Sequence, residues 1–292
     1  MKLSVVIPTL GGIQLKDTIK ALQNSSIRPM EILICMPDSS ELLADIDLSD
    51  NVEIIRTKRK GQVYQRMIGF LAVKGELVLQ IDDDVILEKD AIKRLVYCLD
   101  SLSGKAAVSP DLLKEGTDQS AFSRNSNSIS RRVSDWILNG KSGYKPGVLS
   151  LSGVGFDLDF IDKTQDKTES EWIAGTCILH RSENLITQDF FPFSGKAYSE
   201  DLIHSLLLRE SGVKLYVCNN AIAYVGATPY PDSLIEFYRQ YQATKYAVNL
   251  QRKGFVRLNL FSFLRLIKII VRVTSKAILS FVKKIVKIKK II

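Results

Sequence analysis

Apolar residues in this chain follow two rhythms. Four short runs, Leu3–Ile7, Glu31–Met36, Val52–Ile55 and Leu77–Ile81, have strand length and the density of strands buried on both faces. Between them, apolar positions recur at helical spacing. Leu15–Leu22 predicts a short helix, and Gly61 to Lys74 a longer one with Val63, Met67, Phe70 and Leu71 on its apolar side. Strand alternating with helix predicts an α/β fold with a right-handed, mostly parallel sheet flanked by helices. Strand ends at Pro8, Met36, Ile55 and Asp82 then face one crevice.

Further on, the pattern loosens. Lys114 to Ser152 is rich in Ser, Asn, Gly and Arg, and predicts a long loop or an incomplete helical excursion around Val133–Leu138. Glu171–Leu179 reads as a strand interrupted by Gly175. Leu202–Glu210 reads as a helix closed by Gly212, and Val213–Val217 and Ala221–Val225 as two short strands. Ser40 is a candidate cap for a helix from Glu41, and Asp232 for a long helix from about Ser233 to Leu250. These elements predict a body over 1–230 and a helical C-terminal region over 231–292.

Composition adds limits. With 292 residues, 46% of them hydrophobic, the chain suits one large α/β domain with additions. Cys35, Cys98, Cys177 and Cys218 lie in apolar stretches without paired spacing, as reduced thiols of a cytosolic protein would. The first apolar run is too short for the core of a signal peptide.

Charge divides the chain. The net charge of +8 conceals a segment from Phe237 to Ile292 with 14 Lys or Arg and no acid; the rest carries 26 basic and 32 acidic residues, a net of −6. Within that segment Arg265, Lys268, Arg272, Lys276, Lys283, Lys287 and Lys290 recur at about one helical turn, with aliphatic residues between them. No uncharged stretch there is long enough to span a bilayer. A cationic stripe beside a broad apolar face predicts a helix lying in an anionic membrane surface, or one packed on the domain or in a dimer. An aliphatic tail without stacking platforms argues against nucleic acid. A protein held to the inner face of the cell membrane from the cytoplasm is the expectation.

The run Leu77–Ile81 ends in Asp82-Asp83-Asp84. Three adjacent carboxylates repel one another unless a cation holds them, and oxygen-only ligands suit Mg2+ or Mn2+, with substrate phosphates completing the shell. The alternative is an acidic turn capping the helix that follows.

With these motifs in order, the chain resembles the inverting, nucleotide-sugar-dependent glycosyltransferases of family 2, with the GT-A fold. The resemblance covers about Leu3 to Val225. Its parts are Val5-Val6-Ile7-Pro8-Thr9, Pro29–Ile34, Gly61–Gly69 with Arg66, Asp82-Asp83-Asp84 as the DxD motif, Trp172-Ile173-Ala174-Gly175, and Ser199-Glu200-Asp201. Two departures stand out. The second strand ends in Met36-Pro37-Asp38-Ser39-Ser40 rather than in two acids followed by Gly-Ser. The segment Tyr224–Thr228 lacks the His that many relatives place near the metal.

The resemblance implies a role for each residue. Asp84 would be the direct metal ligand, with Asp82 and Asp83 holding ribose or reaching the metal through water. Pro8, Thr9 and Asp38 would contact base and ribose, and Arg66 a phosphate. Trp172 and Gly175 would lie under the donor sugar. Asp201 would be the general base, with Glu200 beside it. The alternative for Glu200 and Asp201 is simply a helix start, where negative charge is favourable. The reading is metal-dependent, inverting transfer of a sugar from a nucleotide-diphosphate donor to a hydroxyl of a lipid-linked or cell-surface polysaccharide acceptor. Its rivals are an inactive membrane-associated scaffold of the same fold, which the altered turn at Met36-Pro37 keeps open, and a nucleotidyltransferase. The latter would need a Gly-rich phosphate loop with a Lys near the N-terminus, and Gly11-Gly12 has no Arg-Lys run nearby.

Overall fold

The computed structural model describes residues 2–43, 50–122, 128–140, 145–159, 165–226, 233–252 and 254–289, with side chains as far as Val271 and at Thr274. Most of the helix expected from Glu41, the run 123–127, residues 227–228 and Asp232 lie outside the described residues.

The strands are β1 (Leu3–Pro8), β2 (Glu31–Pro37), β3 (Val52–Thr57), β4 (Leu77–Ile81), β5 (Val85–Leu87), β6 (Ala106–Lys114), β7 (Lys167–Ser170), β8 (Cys177–Arg181) and β9 (Lys214–Val225). Among the described residues they form one nine-stranded sheet in the order β3-β2-β1-β4-β8-β6-β9-β5, with β7 along β9. β1 to β4 run parallel to one another. β8 is antiparallel between β4 and β6, and β9 parallel to β6. The main helices are α1 (Leu15–Gln23), α2 (Gln62–Ala72), α3 (Ala91–Asp100), α4 (Ile129–Asn139), α5 (Glu200–Glu210), α6 (Leu234–Gln251) and α7 (Phe255–Lys289).

Every residue of β1, β2 and β4 is buried, which is why their sequences are apolar without alternation. Each buried Leu or Ile there contributes about 1.5–3 kcal/mol. The four cysteines are buried free thiols. α2 packs unusually close to this layer, because a Cβ on Gly69 would stand 2.4 Å from Val6 Cγ1 and 2.8 Å from Cys35 Sγ. Its buried face is therefore Val63, Gln65, Arg66, Gly69 and Phe70, while Leu71, assigned to the apolar side by periodicity, is exposed.

Elsewhere the sequence pattern and the structure differ in instructive ways. α3 and β6 stand where no element was assigned. β6 contains Ser109, Pro110 and Asp111, which break its strand signal, and its register with β9 shifts between Pro110 and Asp111. The same shift explains why β9 reads as two strands in sequence: it is one, with Asn219–Ala221 bulged. α4 is a complete helix, capped by Ser128 and closed by Gly140 in the left-handed conformation. The segment Glu171–Thr176 is irregular, and the strand begins only at Cys177.

The C-terminal helices pack on the body. Ala243 and Ala247 of α6 join the main core, and Leu258 of α7 is buried. The Arg257 guanidinium donates to the Trp136 and Ile137 carbonyls at 3.1 and 3.2 Å, satisfying the open end of α4. Between α6 and α7, Gly254 has φ +92° and lies against the Leu151 carbonyl, where a Cβ would fall 1.4 Å from the oxygen. α7 is about 52 Å long at 1.5 Å per residue. Val256, Leu260, Phe263, Ile267 and Ile270 form its exposed side. No helix among the described residues is long and apolar enough to cross a membrane.

Candidate active site

Asp82-Asp83-Asp84 is the turn between β4 and β5. It caps no helix: α3 begins at Ala91, beyond β5, with Asp90 at its N-cap. The three carboxylates point to different partners. Asp82 Oδ1 accepts from Gln62 Nε2 at 2.8 Å and from Arg66 Nη2 at 3.2 Å. Asp83 accepts from the Thr9 hydroxyl, which itself accepts from the Gly11 N–H at 2.8 Å. Asp84 is exposed and faces the cleft.

That cleft has a volume of about 690 Å3 and lies over the carboxyl ends of β1 and β4. Pro8, Thr9, Gly61, Gln62 and all three aspartates line it, as do Lys60 and Lys196. Gln65 fixes its floor, donating to the Thr9 and Cys35 carbonyls at 2.6 and 2.7 Å. Among the described residues no three acidic, thiol or imidazole groups gather closely enough to hold a metal by themselves. A lone exposed carboxylate fits an ion of the magnesium type only when a substrate phosphate supplies further ligands.

Arg66 lies behind this cleft and only 2% exposed. Its Nη1 donates to both Glu200 oxygens at 3.0 Å, and its Nη2 to Asp82. Burial opposes the guanidinium charge, but Glu200 and Asp82 outweigh it and raise the pKa. Here the structure corrects the sequence expectation. Arg66 bridges two carboxylates instead of facing a phosphate, and Glu200, expected beside the base, is held by Arg66. Among the described residues Lys60 and Lys196 are the cations that line the cleft, and the position of Lys60 just before Gly61 is its one signal in the sequence.

Glu200 and Asp201 form the first turn of α5, as the helix-start alternative holds; Glu200 is buried and Asp201 half-buried. Ser199 enters the turn at φ 57°, a left-handed conformation that is uncommon for a non-glycine residue. Asp201 Oδ1 accepts from the Leu202 N–H at 2.9 Å. Burial, and then the Glu200 charge, push the Asp201 carboxyl up to about 7. Burial likewise raises Asp82 to about 7 against the pull of Arg66.

Gly175 sits against this pair. A Cβ there would come within 2.6 Å of Glu200 Oε1, so the glycine makes room for the carboxylate. Its carbonyl accepts from Gln80 Nε2 at 2.6 Å, and Gln80 Oε1 meets His180 Nε2 at 3.2 Å. Trp172 is buried, donates from Nε1 to the Phe156 carbonyl at 2.8 Å, and lines a second cavity rather than the cleft. Asp38 is exposed at the end of β2, outside the residues that line the cleft, with its N–H on the Thr57 carbonyl at 3.0 Å. His204 is buried and stacks on Phe190 at 5.5 Å; burial lowers its pKa well below the usual value.

The second cavity, about 500 Å3, has Asp201 in its wall. The two cavities thus lie on either side of one buried chain of side chains, Asp82–Arg66–Glu200, with Asp201 next to its end.

Comparison with known proteins fits this architecture. Residues 4–146, about half of the chain, match the sequence profile of Glycosyl transferase family 2. No curated protein sequence matches the chain. A crystal structure of GalNAc-T7 with UDP, GalNAc and Mn2+ superposes with a TM-score of 0.54 at 16% identity, over 80% of this chain and 46% of that one. The mannosyltransferase PcManGT from Pyrobaculum calidifontis, in complex with GDP-Man and Mn2+, gives 0.50 at 15% identity, over 87% of this chain and 65% of that one. This chain therefore spans about half of the first structure and just under two thirds of the second.

Proposed function

This chain belongs to glycosyl transferase family 2 and has the GT-A fold, and on that premise we propose that it transfers a sugar, with inversion, from a nucleotide-diphosphate sugar to an acceptor hydroxyl. One observation carries the reading: a half-buried carboxylate raised to about 7, Asp201, stands across the Arg66–Glu200 pair from a cleft edged by Asp82, Asp83 and Asp84. A base is most useful when its pKa lies near the working pH.

The donor diphosphate lies in the cleft, with Lys60 and Lys196 as its cationic contacts and Thr9 at the nucleoside side. Asp84, with Asp82 or Asp83 through water, would hold a Mn2+ or Mg2+ ion, which when bound neutralises charge on the departing diphosphate. The two solved neighbours containing Mn2+ and a nucleotide or nucleotide sugar support that choice. The acceptor hydroxyl gives its proton to Asp201 as its oxygen bonds to the anomeric carbon. The bond from that carbon to the phosphate oxygen breaks, and the nucleoside diphosphate leaves with the electron pair. Glu200 and Arg66 position Asp201 and tie it to the donor side.

The acceptor is lipid-linked or part of a cell-surface polysaccharide, met at an anionic membrane surface. The support is the exposed apolar side of α7, the exposed Ile129, Val133 and Trp136 of adjoining α4, and 14 basic residues without an acid after Glu236. The test is a panel of nucleotide sugars with Mn2+ or Mg2+, read as thermal stabilisation and then as donor hydrolysis in wild type and Asp201→Asn. Metal-dependent stabilisation with hydrolysis lost in the variant is the expected result. Stabilisation without hydrolysis in either protein would favour an inactive scaffold.

A further inference from the structure

The cavity beyond Asp201 is walled by parts of the chain far apart in sequence. α4, residues 153–157, Trp172, the start of α5 and α6 provide most of it, and the first turns of α7 close it with Phe261, Ser262 and Arg265. The residues on α7 that line the cavity lie on the opposite side from Val256, Leu260, Phe263 and Ile267. The helix thus has one side in the cavity and another free for a surface.

The lining is specific in its chemistry. Trp172, Phe237, Tyr241 and Phe261 offer aromatic faces, and Gln240 and Ser262 offer hydrogen-bonding groups beside them. The charges balance locally. Arg131 pairs with Asp135 at 3.5 Å and Asp157 at 3.4 Å, and Arg265 lies over the Phe237 ring at 6.0 Å. With Asp201 as a third acid, the cavity has no excess of positive charge to attract a phosphate. Aromatic faces mixed with neutral donors and acceptors suit the apolar faces and hydroxyls of an uncharged sugar. Its volume of about 500 Å3 lies within the ~300–1,000 Å3 of small-ligand pockets.

We infer that the C-terminal helix is part of the acceptor site: Phe261, Ser262 and Arg265 help to receive an uncharged terminal saccharide whose hydroxyl meets Asp201. This rests on the transfer reading above and adds to it the acceptor class and the element that selects it. α7 then does two things at once, resting on the surface that carries the acceptor and forming the wall against which the acceptor's sugar is held.

The chain has two tryptophans, Trp136 and Trp172, and only Trp172 lines the cavity. In a Trp136→Phe background, fluorescence therefore reports on the cavity. The probes are octyl glycosides of glucose, galactose and N-acetylglucosamine below their micelle concentrations, and octyl phosphate as the anionic control. Saturable fluorescence change with at least one glycoside, and none with octyl phosphate, is expected. Phe261→Ala and Ser262→Phe should each weaken glycoside binding at least tenfold. Affinity for Mn2+ with nucleoside diphosphate, measured by calorimetry, should stay unchanged. Two variants are used so that a folding defect in one, seen by thermal melting, leaves the other decisive. No saturable glycoside binding, undiminished binding in both variants, or preference for octyl phosphate overturns the inference. Failure of the parent chain to bind any nucleotide with Mn2+ would instead overturn the transfer reading.

Discussion

The two cavities on either side of Arg66 are built by different means. The donor cleft rests on strand ends, and its floor is tied to main-chain carbonyls: Gln65 on Thr9 and Cys35, Thr18 on Asp83. The acceptor cavity rests on helices that meet through side chains, with α4, α5, α6 and α7 each contributing a wall. Backbone anchoring leaves the donor side little freedom, since a shift of one residue in a buried strand turns every side chain to the other face. Helix packing leaves more, since side chains of one wall change without disturbing the sheet. On the proposed reading, the donor chemistry sits on the rigid half and the acceptor on the adaptable half.

The largest expected effect separates the halves at their boundary. Asp201→Asn should lower transfer by about 10²–10⁴-fold while leaving Mn2+-dependent nucleotide affinity intact. Equal loss of both would place Asp201 in the donor half. Arg66→Ala should damage both halves, because it leaves Glu200 and Asp82 buried without their cation. A loss of about 3–5 kcal/mol in denaturant melts is expected, and under about 1 kcal/mol would mean that the carboxylates have other support. Ending the chain at Val271 removes Arg272, Lys276, Lys283, Lys287 and Lys290 but keeps Leu258 and Arg257 in place. At about 1 kcal/mol for each basic group near an anionic surface, partition to phosphatidylserine vesicles should fall at least ~100-fold with the melting temperature unchanged. A cut before Leu258, by contrast, opens the acceptor cavity and should cost stability.

Smaller effects refine the picture. Asp84→Ala should weaken Mn2+-dependent nucleotide binding by about 1.5–3 kcal/mol, the range for a lost charge-assisted contact. Calorimetry showing equal affinity would move the metal to Asp82 or Asp83. The smallest effect concerns pH. Asp201 titrates near 7 when folded against an ordinary 3.8, so the folded chain holds the extra proton between those values. Its contribution to stability is complete below about pH 4 and is lost as pH rises through 7, while activity that needs the carboxylate rises over the same window. In stability profiles, Asp201→Asn should remove the Asp201 share of that slope and leave the share of Asp82, making the variant more stable than wild type at pH 8 by about 1 kcal/mol. An unchanged slope would show that Asp201 is solvated.

Much of the donor half was legible in sequence because its parts are local. Continuous apolar runs ending in Pro8-Thr9 or Asp82-Asp83-Asp84 mark both strand and strand end in a few adjacent residues. The partner of Arg66 was not legible, because nothing in the spacing of α2 tells that Gly69 draws the helix down until the arginine reaches Glu200, 134 positions away. The acceptor cavity was less legible still. Tyr241 and Phe261 look like ordinary helix residues and Trp172 points by motif to the donor sugar, and only the long-range packing of α4, α6 and α7 turns them toward one space.

At Gly254 the main chain touches the main chain, with the Leu151 oxygen occupying the volume of any larger residue. The bearing of the terminal helix is therefore set by a hinge pin of bare backbone, not by the identities of the groups farther out. If the helix rests on a membrane as proposed, those outer groups can drift to suit bilayers of different composition while its bearing on the body stays the same, so lipid preference and aim are free to evolve apart.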